Sequence, residues 1–198
     1  LITILLSGLM LSGFGQALSP YILTAVATDL EAAKTEVKTA LEGAGFGIAG
    51  EYMPAEDNTR WVIIVSHPEL DKAVKSVGGL VGFAATLRVG ITKETDGVNI
   101  SYTNPTYWGN AYFRDDFPGV ESNYKAVAAD FENAITGIGK NMNAPFGSEK
   151  GVEIDDLRKY HYMFGMPYFD DTKELADFDN YEEAIAKIEN SLKWGKPG

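Results

Sequence analysis

The chain contains no cysteine. That excludes disulfide scaffolds, thiol catalysis, iron–sulfur clusters, cysteine-ligated zinc and haem attached covalently through a CxxCH motif. Histidine is scarce, with only His67 and His161, so imidazole chemistry has two places to occur. Basic charge is in deficit: 17 Lys and Arg stand against 28 Asp and Glu, a net charge of −11. Phosphate backbones and anionic headgroups repel such a chain, which argues against nucleic acid as a partner. No P-loop, no GxGxxG after a strand and no HExxH occurs, and no internal repeat is evident. What remains is apolar and aromatic material, 45% and 12% of 198 residues, enough for a packed core and too much for a disordered chain.

Charge is also absent from the whole stretch before Asp29. Residues 1–14 (LITILLSGLMLSGF) form an apolar run too short for an ordinary membrane span, and Gly15 and Ala17 place small residues as signal peptidase requires. The expectation is a secretory signal within residues 1–18, cleaved or retained as an apolar anchor, on a periplasmic or exported protein. The missing basic region suggests a longer precursor, and the KWGKPG ending, without cap or closing strand, suggests that the chain runs on.

Periodicity then sets out the elements. Residues 21–28 are β-rich, and Asp29 stands as N-cap of a helix over 30–42 ended by Gly43 and Gly45. Strands follow at 46–52 and 61–65, the second apolar throughout and so central, and Pro68 opens a helix to about residue 76. Residues 86–95 alternate in period two, and Asp96-Gly97 is a hairpin signal leading to 98–103. Beyond Asn104-Pro105 the pattern turns helical. Residues 121–138 carry apolar side chains at helical spacing, glycines and Pro145 break the chain around 137–147, and a short acidic helix is expected over 153–160. A final amphipathic helix, 180–192, has Tyr181, Ala184, Ile185, Ile188 and Leu192 facing inward. The predicted fold class is α+β, a mixed or antiparallel sheet with helices packed on one face. Its segments are 1–18, an α+β core over 19–105 and a helix-rich, aromatic-rich extension over 106–198.

Four pieces of residues 28–105 carry a family resemblance: LEGAGF at 41–46, the strand at 62–65 followed by HPEL at 67–70, the stretch 79–89 ending in LRV, and YTNP at 102–105. Together they resemble the family catalogued as domain of unknown function 302. The remainder, with NPTYWGNAY at 104–112 and RKYHYMFGMPYFDD at 158–171, is similar to exported proteobacterial members that extend this domain. The resemblance implies a helix-on-sheet core and export, and transfers no catalytic residue.

Three constellations offer chemistry. Tyr102, Asn104, Tyr107, Trp108 and Tyr112, with Asn110 and Phe113, combine flat apolar faces with hydrogen-bonding tips, suited to a planar ligand or a protein partner, or else to a lid over the sheet. His161, Met163 and Met166 offer soft donors for copper or non-covalently held haem, or else fill a core. Asp170, Asp171, Asp177, Asp179 and Glu182 offer oxygen to calcium but lack EF-hand spacing, and serve equally as helix caps. His67 before Pro68 reads as a helix cap, and Arg88 as one half of a salt bridge with Glu94 or as a site for an acidic ligand. The functional expectation is an exported, non-enzymatic binding or accessory subunit, acting on a protein partner or as a homo-oligomer and reaching a membrane through residues 1–18. The alternative is a periplasmic metalloprotein in electron transfer or metal handling.

Overall fold

The structure is a computed structural model and describes residues 17–160, 164–168, 171 and 173–194. The expected signal or anchor therefore lies outside the described residues, apart from its last two positions. The elements in chain order are β1 (Ala17–Leu18), β2 (Tyr21–Ala27), α1 (Leu30–Gly43), β3 (Gly47–Tyr52), β4 (Arg60–Ser66) and α2 (Pro68–Val77). A 3-10 segment (Gly79–Ala85) leads to β5 (Thr86–Glu94) and β6 (Gly97–Thr103). After them come α3 (Pro105–Phe113), α4 (Phe117–Ile135), β7 (Lys140–Phe146), β8 (Val152–Glu153), α5 (Ile154–Leu157) and α6 (Tyr181–Lys193).

Six strands form one sheet in the order β3-β4-β5-β6-β2-β7, antiparallel at every junction. Alternate residues show which face is covered: Leu87, Val89 and Ile91 of β5 are buried with Val98, Ile100 and Tyr102 of β6, while Arg88 between them is exposed. The fold is α+β as expected, with β4 interior to the sheet.

Helix starts follow a shared local chemistry. Asp29 accepts from the Ala32 amide at 2.8 Å, His67 Nδ1 from the Glu69 amide at 3.2 Å, and Asn104 from the Thr106 amide at 3.1 Å. The last two stand directly before a proline, which fixes the first helical residue without wasting an amide. His67 is thus the cap that its position suggested. Its ring also packs against Phe46 at 4.8 Å, and its Nε2 lies 3.4 Å from Asp130.

The hairpin differs in register from the sequence expectation. Glu94 pairs with Gly97, so Thr95 and Asp96 make the turn. Gly97 is needed for space, since a Cβ there would come within 2.7 Å of Val26 Cγ1 and 3.0 Å of the Ala27 carbonyl. The region of chain breaks at 137–147 holds a strand, β7, paired with β2 at the sheet edge. None of its residues is buried, so no apolar alternation marks it, and Pro145 is tolerated because an edge strand has amides to spare. The final helix forms with Asn180 as cap, but its stripe is not inward. No residue of α6 is buried, and Tyr181 and Leu192 are three-quarters exposed. Periodicity states that a face can be covered, and no described element covers this one.

One core spans position 105: Ala25, Val37, Phe46, Val65, Ile91, Phe131 and Ile138 all belong to it. Helix α4 ties it together. Phe131 stacks on Tyr102, with ring centroids 4.6 Å apart and planes at 9°, and meets Phe46 at 4.3 Å. The buried Tyr124 hydroxyl donates to the Ala84 carbonyl at 3.0 Å, pinning the 3-10 segment. Helices α3 and α4 approach at Gly109, where a Cβ would collide with the buried Phe117 ring and lie 2.9 Å from Tyr124.

Gly109→Ala is therefore expected to destabilise the protein. The better helix propensity is worth about 1 kcal/mol, and forcing two packed rings apart costs ~1–3 kcal/mol or more; thermal unfolding reads the difference as a lowered Tm. A second expectation concerns alkali. Burial, with a smaller contribution from Glu132, pushes the Tyr102 phenol up to about 12 from 10.0, and burial pushes Tyr124 up as well. The native state holds these protons more tightly than the unfolded chain. Their stabilisation is whole below pH 10.0 and is lost as pH rises toward about 12. Tyr102→Phe should move the alkaline unfolding midpoint to higher pH, followed by phenolate absorbance together with circular dichroism.

Candidate functional site

The strongest candidate lies where β5 and β6 part. Their ladder ends with Val89 opposite Tyr102. One residue further, the Thr103 hydroxyl takes the place of a backbone rung, accepting from the Arg88 amide and donating to the Arg88 carbonyl, both at 3.2 Å. The strands splay there, and the 3-10 segment and α3 close around the gap. The result is a cleft of about 240 Å³.

Three aromatic rings line it. Trp108 and Tyr112 stand one turn apart on α3, at the i,i+4 spacing that puts them on one face, with centroids 5.6 Å apart and planes at 22°. Phe83, from the 3-10 segment, lies 6.5 Å from Tyr112 at 27° and is 65% exposed. Arg88 lines the same cleft. Its guanidinium makes no ion pair and no side-chain hydrogen bond among the described residues; the expected partner, Glu94, does not reach it. Burial raises the Tyr112 phenol while the neighbouring Arg88 charge opposes the rise, so ring and cation feel each other. Arg88 is the one charged side chain among the residues that line the cleft.

The five predicted surface residues divide. Trp108 and Tyr112 line this cleft. Tyr102 and Asn104 line a separate groove of about 500 Å³ along α4. Tyr107 is buried with Leu18, Ala111 and Leu157 in a small second core and has no part in an open surface. Asn104 is mainly structural: besides capping α3 it donates to the Ser19 carbonyl at 2.9 Å. The aromatic stretch forms no single platform, because on a helix alternate residues face opposite ways, and of the five only Trp108 and Tyr112 share one face.

Of the predicted metal set, His161 and Met163 lie outside the described residues. Met166 is half-exposed beside Phe164 and Tyr168. Asp170 is outside the described residues too; Asp171 accepts from the Tyr168 amide and Asp177 from the Phe178 amide. Among the described residues no group of three or more His, Asp or Glu gathers to hold a metal. The sealed His67 is committed to its cap and to Asp130, and Glu69 to Lys72 and Asn123, so the two make no proton shuttle.

Sequence reasoning missed two participants. Phe83 was hidden in a glycine-rich stretch, GGLVGFAA, that reads as a loop; its one signal is an aromatic among small residues. Arg158 donates from Nε to the fully buried Asn110 at 2.9 Å, while Arg114 donates from Nε to the Arg158 carbonyl at 2.7 Å. This network holds α5 against α3 and joins residues 44 and 48 positions apart, beyond the reach of local pattern.

No helix among the described residues is long and apolar enough to cross a membrane. No known family's sequence profile matches the chain, and no curated protein matches it in sequence. In fold it is similar to a solved structure described as the uncharacterized conserved protein DUF302 from Bacillus stearothermophilus. The TM-score is 0.50 at 16% identity, covering 58% of this chain and 94% of that one. At that identity the likeness is one of fold, and it embraces nearly all of the bacillar protein while leaving a large part of this chain without a counterpart.

Proposed function

We propose that this is an exported, non-enzymatic binding or accessory protein whose cleft at the β5–β6 splay receives a small planar anion. The observation that carries the reading is Arg88, a cation without a counter-ion set among Phe83, Trp108 and Tyr112. A guanidinium offers paired donors to a carboxylate, and the stacked rings offer a planar ligand two faces. The volume suits one aromatic ring and not a dinucleotide or a haem. Export rests on the apolar, uncharged residues 1–14 with small residues at 15 and 17. The accessory role rests on the absence, among the described residues, of a nucleophile with a base beside it at this cleft. Residues 28–105 are those of a relative of domain of unknown function 302, a reading that the fold likeness supports.

Benzoate is the direct probe. In a Trp61→Phe, Trp194→Phe background, Trp108 fluorescence should change saturably with benzoate. Cyclohexanecarboxylate, of equal charge but not flat, should bind more weakly. Arg88→Gln should weaken benzoate by about tenfold, or ~1.4 kcal/mol. Equal binding by Arg88→Gln, or none by the unaltered protein, overturns the reading.

A further inference from the structure

The second opening is a different site, lined on α3 by Thr106 and Asn110 where the first has Trp108 and Tyr112, and it brings acids as well as bases to its walls. It runs along one stripe of α4 on which Glu121, Lys125, Ala128, Ala129 and Glu132 follow one another at helical spacing. Tyr102 and Ile22 of the sheet form its floor.

Two groups there lack partners. The Tyr102 side chain is 95% buried, its ring held flat against Phe131, yet its hydroxyl has no hydrogen-bond partner among the described residues. Tyr124, the neighbouring buried tyrosine, spends its hydroxyl on the Ala84 carbonyl. The Tyr102 hydroxyl is not among the sealed polar atoms, and Tyr102 lines the groove. The second group is Glu132, whose carboxylate makes no ion pair among the described residues and whose charge acts directly on the Tyr102 phenol. The nearest cation on the stripe, Lys125, is committed to Glu121 at 2.9 Å. Between lie Ala128 and Ala129, short side chains that leave room for an apolar chain over Ile22. Arg158 stands at the other end of the groove, held by Asn110. Glu121 and Glu132 are eleven residues apart, about 16 Å along the helix.

We propose that this groove binds a primary alkylammonium group, the N–H donors directed at the Tyr102 hydroxyl oxygen and the Glu132 carboxylate, with the alkyl chain lying over Ala128 and Ala129. An ammonium supplies the donor that the hydroxyl lacks and the charge that the carboxylate lacks. An anion placed between Tyr102 and Glu132 would be repelled by the Glu132 carboxylate, and a neutral alcohol would make no ion pair with it. The same chemistry is offered by a free amine and by a lysine side chain of a peptide.

The test is calorimetric titration of the full chain at low salt with n-butylammonium and, in a second arm, with a short lysine-containing peptide blocked at both ends. Saturable one-to-one binding is expected, weakened about tenfold by Glu132→Gln and severalfold by Tyr102→Phe, and unchanged by Arg88→Gln. Tyr102→Phe removes a hydroxyl that bonds to nothing, so that variant stays folded, and its thermal unfolding checks this. Tetramethylammonium carries the charge without N–H donors and should bind at least tenfold more weakly. Tighter binding of the peptide assigns the amine to a protein partner's lysine, and equal or weaker binding assigns it to a free amine. Absence of saturation, equal affinity for tetramethylammonium, or affinity unmoved by Glu132→Gln overturns the proposal. Because Arg88→Gln leaves this binding alone, failure of the benzoate reading and failure of this one are separable.

Discussion

The structure depends on the packing of α4 along the covered face of the sheet. Phe117, Tyr124 and Phe131 are inserted on one side of the helix and buried almost completely, and each fixes something different. Phe131 lies between Phe46 and Tyr102 and sets the distance from helix to sheet. Tyr124 reaches the Ala84 carbonyl and so places the 3-10 segment that carries Phe83. Phe117 sits against Gly109, the one point where α3 can come so close. Burying rings of this size is worth several kcal/mol in apolar transfer, and the Tyr124 hydrogen bond adds direction. Both openings follow from this packing: the cleft lies where α3 and the 3-10 segment are held over the splayed strands, and the groove lies along the next stripe of the same helix.

Charge sets those two openings apart. In a chain of net charge −11, several lysines are paired locally: Lys34 with Glu31, Lys38 with Glu51, Lys72 with Glu69 and Lys125 with Glu121. Such exposed pairs contribute little to stability. What distinguishes the cleft is that Arg88 is the one charged side chain among the residues lining it. The groove along α4 has Glu132 in its wall, an acid with no ion pair among the described residues.

The architecture also explains how residues beyond 105 can extend a compact domain. Strand β7 joins the sheet at its edge beside β2, and β8 pairs with β1, so the later part of the chain returns twice to the first described strands. Edge addition needs backbone groups only and asks nothing of side-chain pattern. That is why β7 is formed from Lys-Asn-Met-Asn-Ala-Pro-Phe, a sequence with no strand signature of its own.

Local physics made much of the molecule readable in advance. The helix starts at Asp29, His67 and Asn180 were legible because a side-chain acceptor beside free amides is a short-range matter. Strands β4, β5 and β6 were legible because burial of one face imposes a period of two. The cleft was half legible: Trp108 and Tyr112 stood out as aromatics, but their union with Phe83 and Arg88 needs three elements to converge, and no spacing in the chain encodes that. The α6 stripe shows the opposite limit, since an amphipathic pattern carries no information about what meets it. By itself the sequence determined the strands and helices that carry a buried face or a cap, the absence of thiol and phosphate-loop chemistry and the acidic net charge, because these depend on composition and near neighbours. Only the tertiary structure decided which charges remain without partners, because pairing depends on distances between residues far apart in the chain.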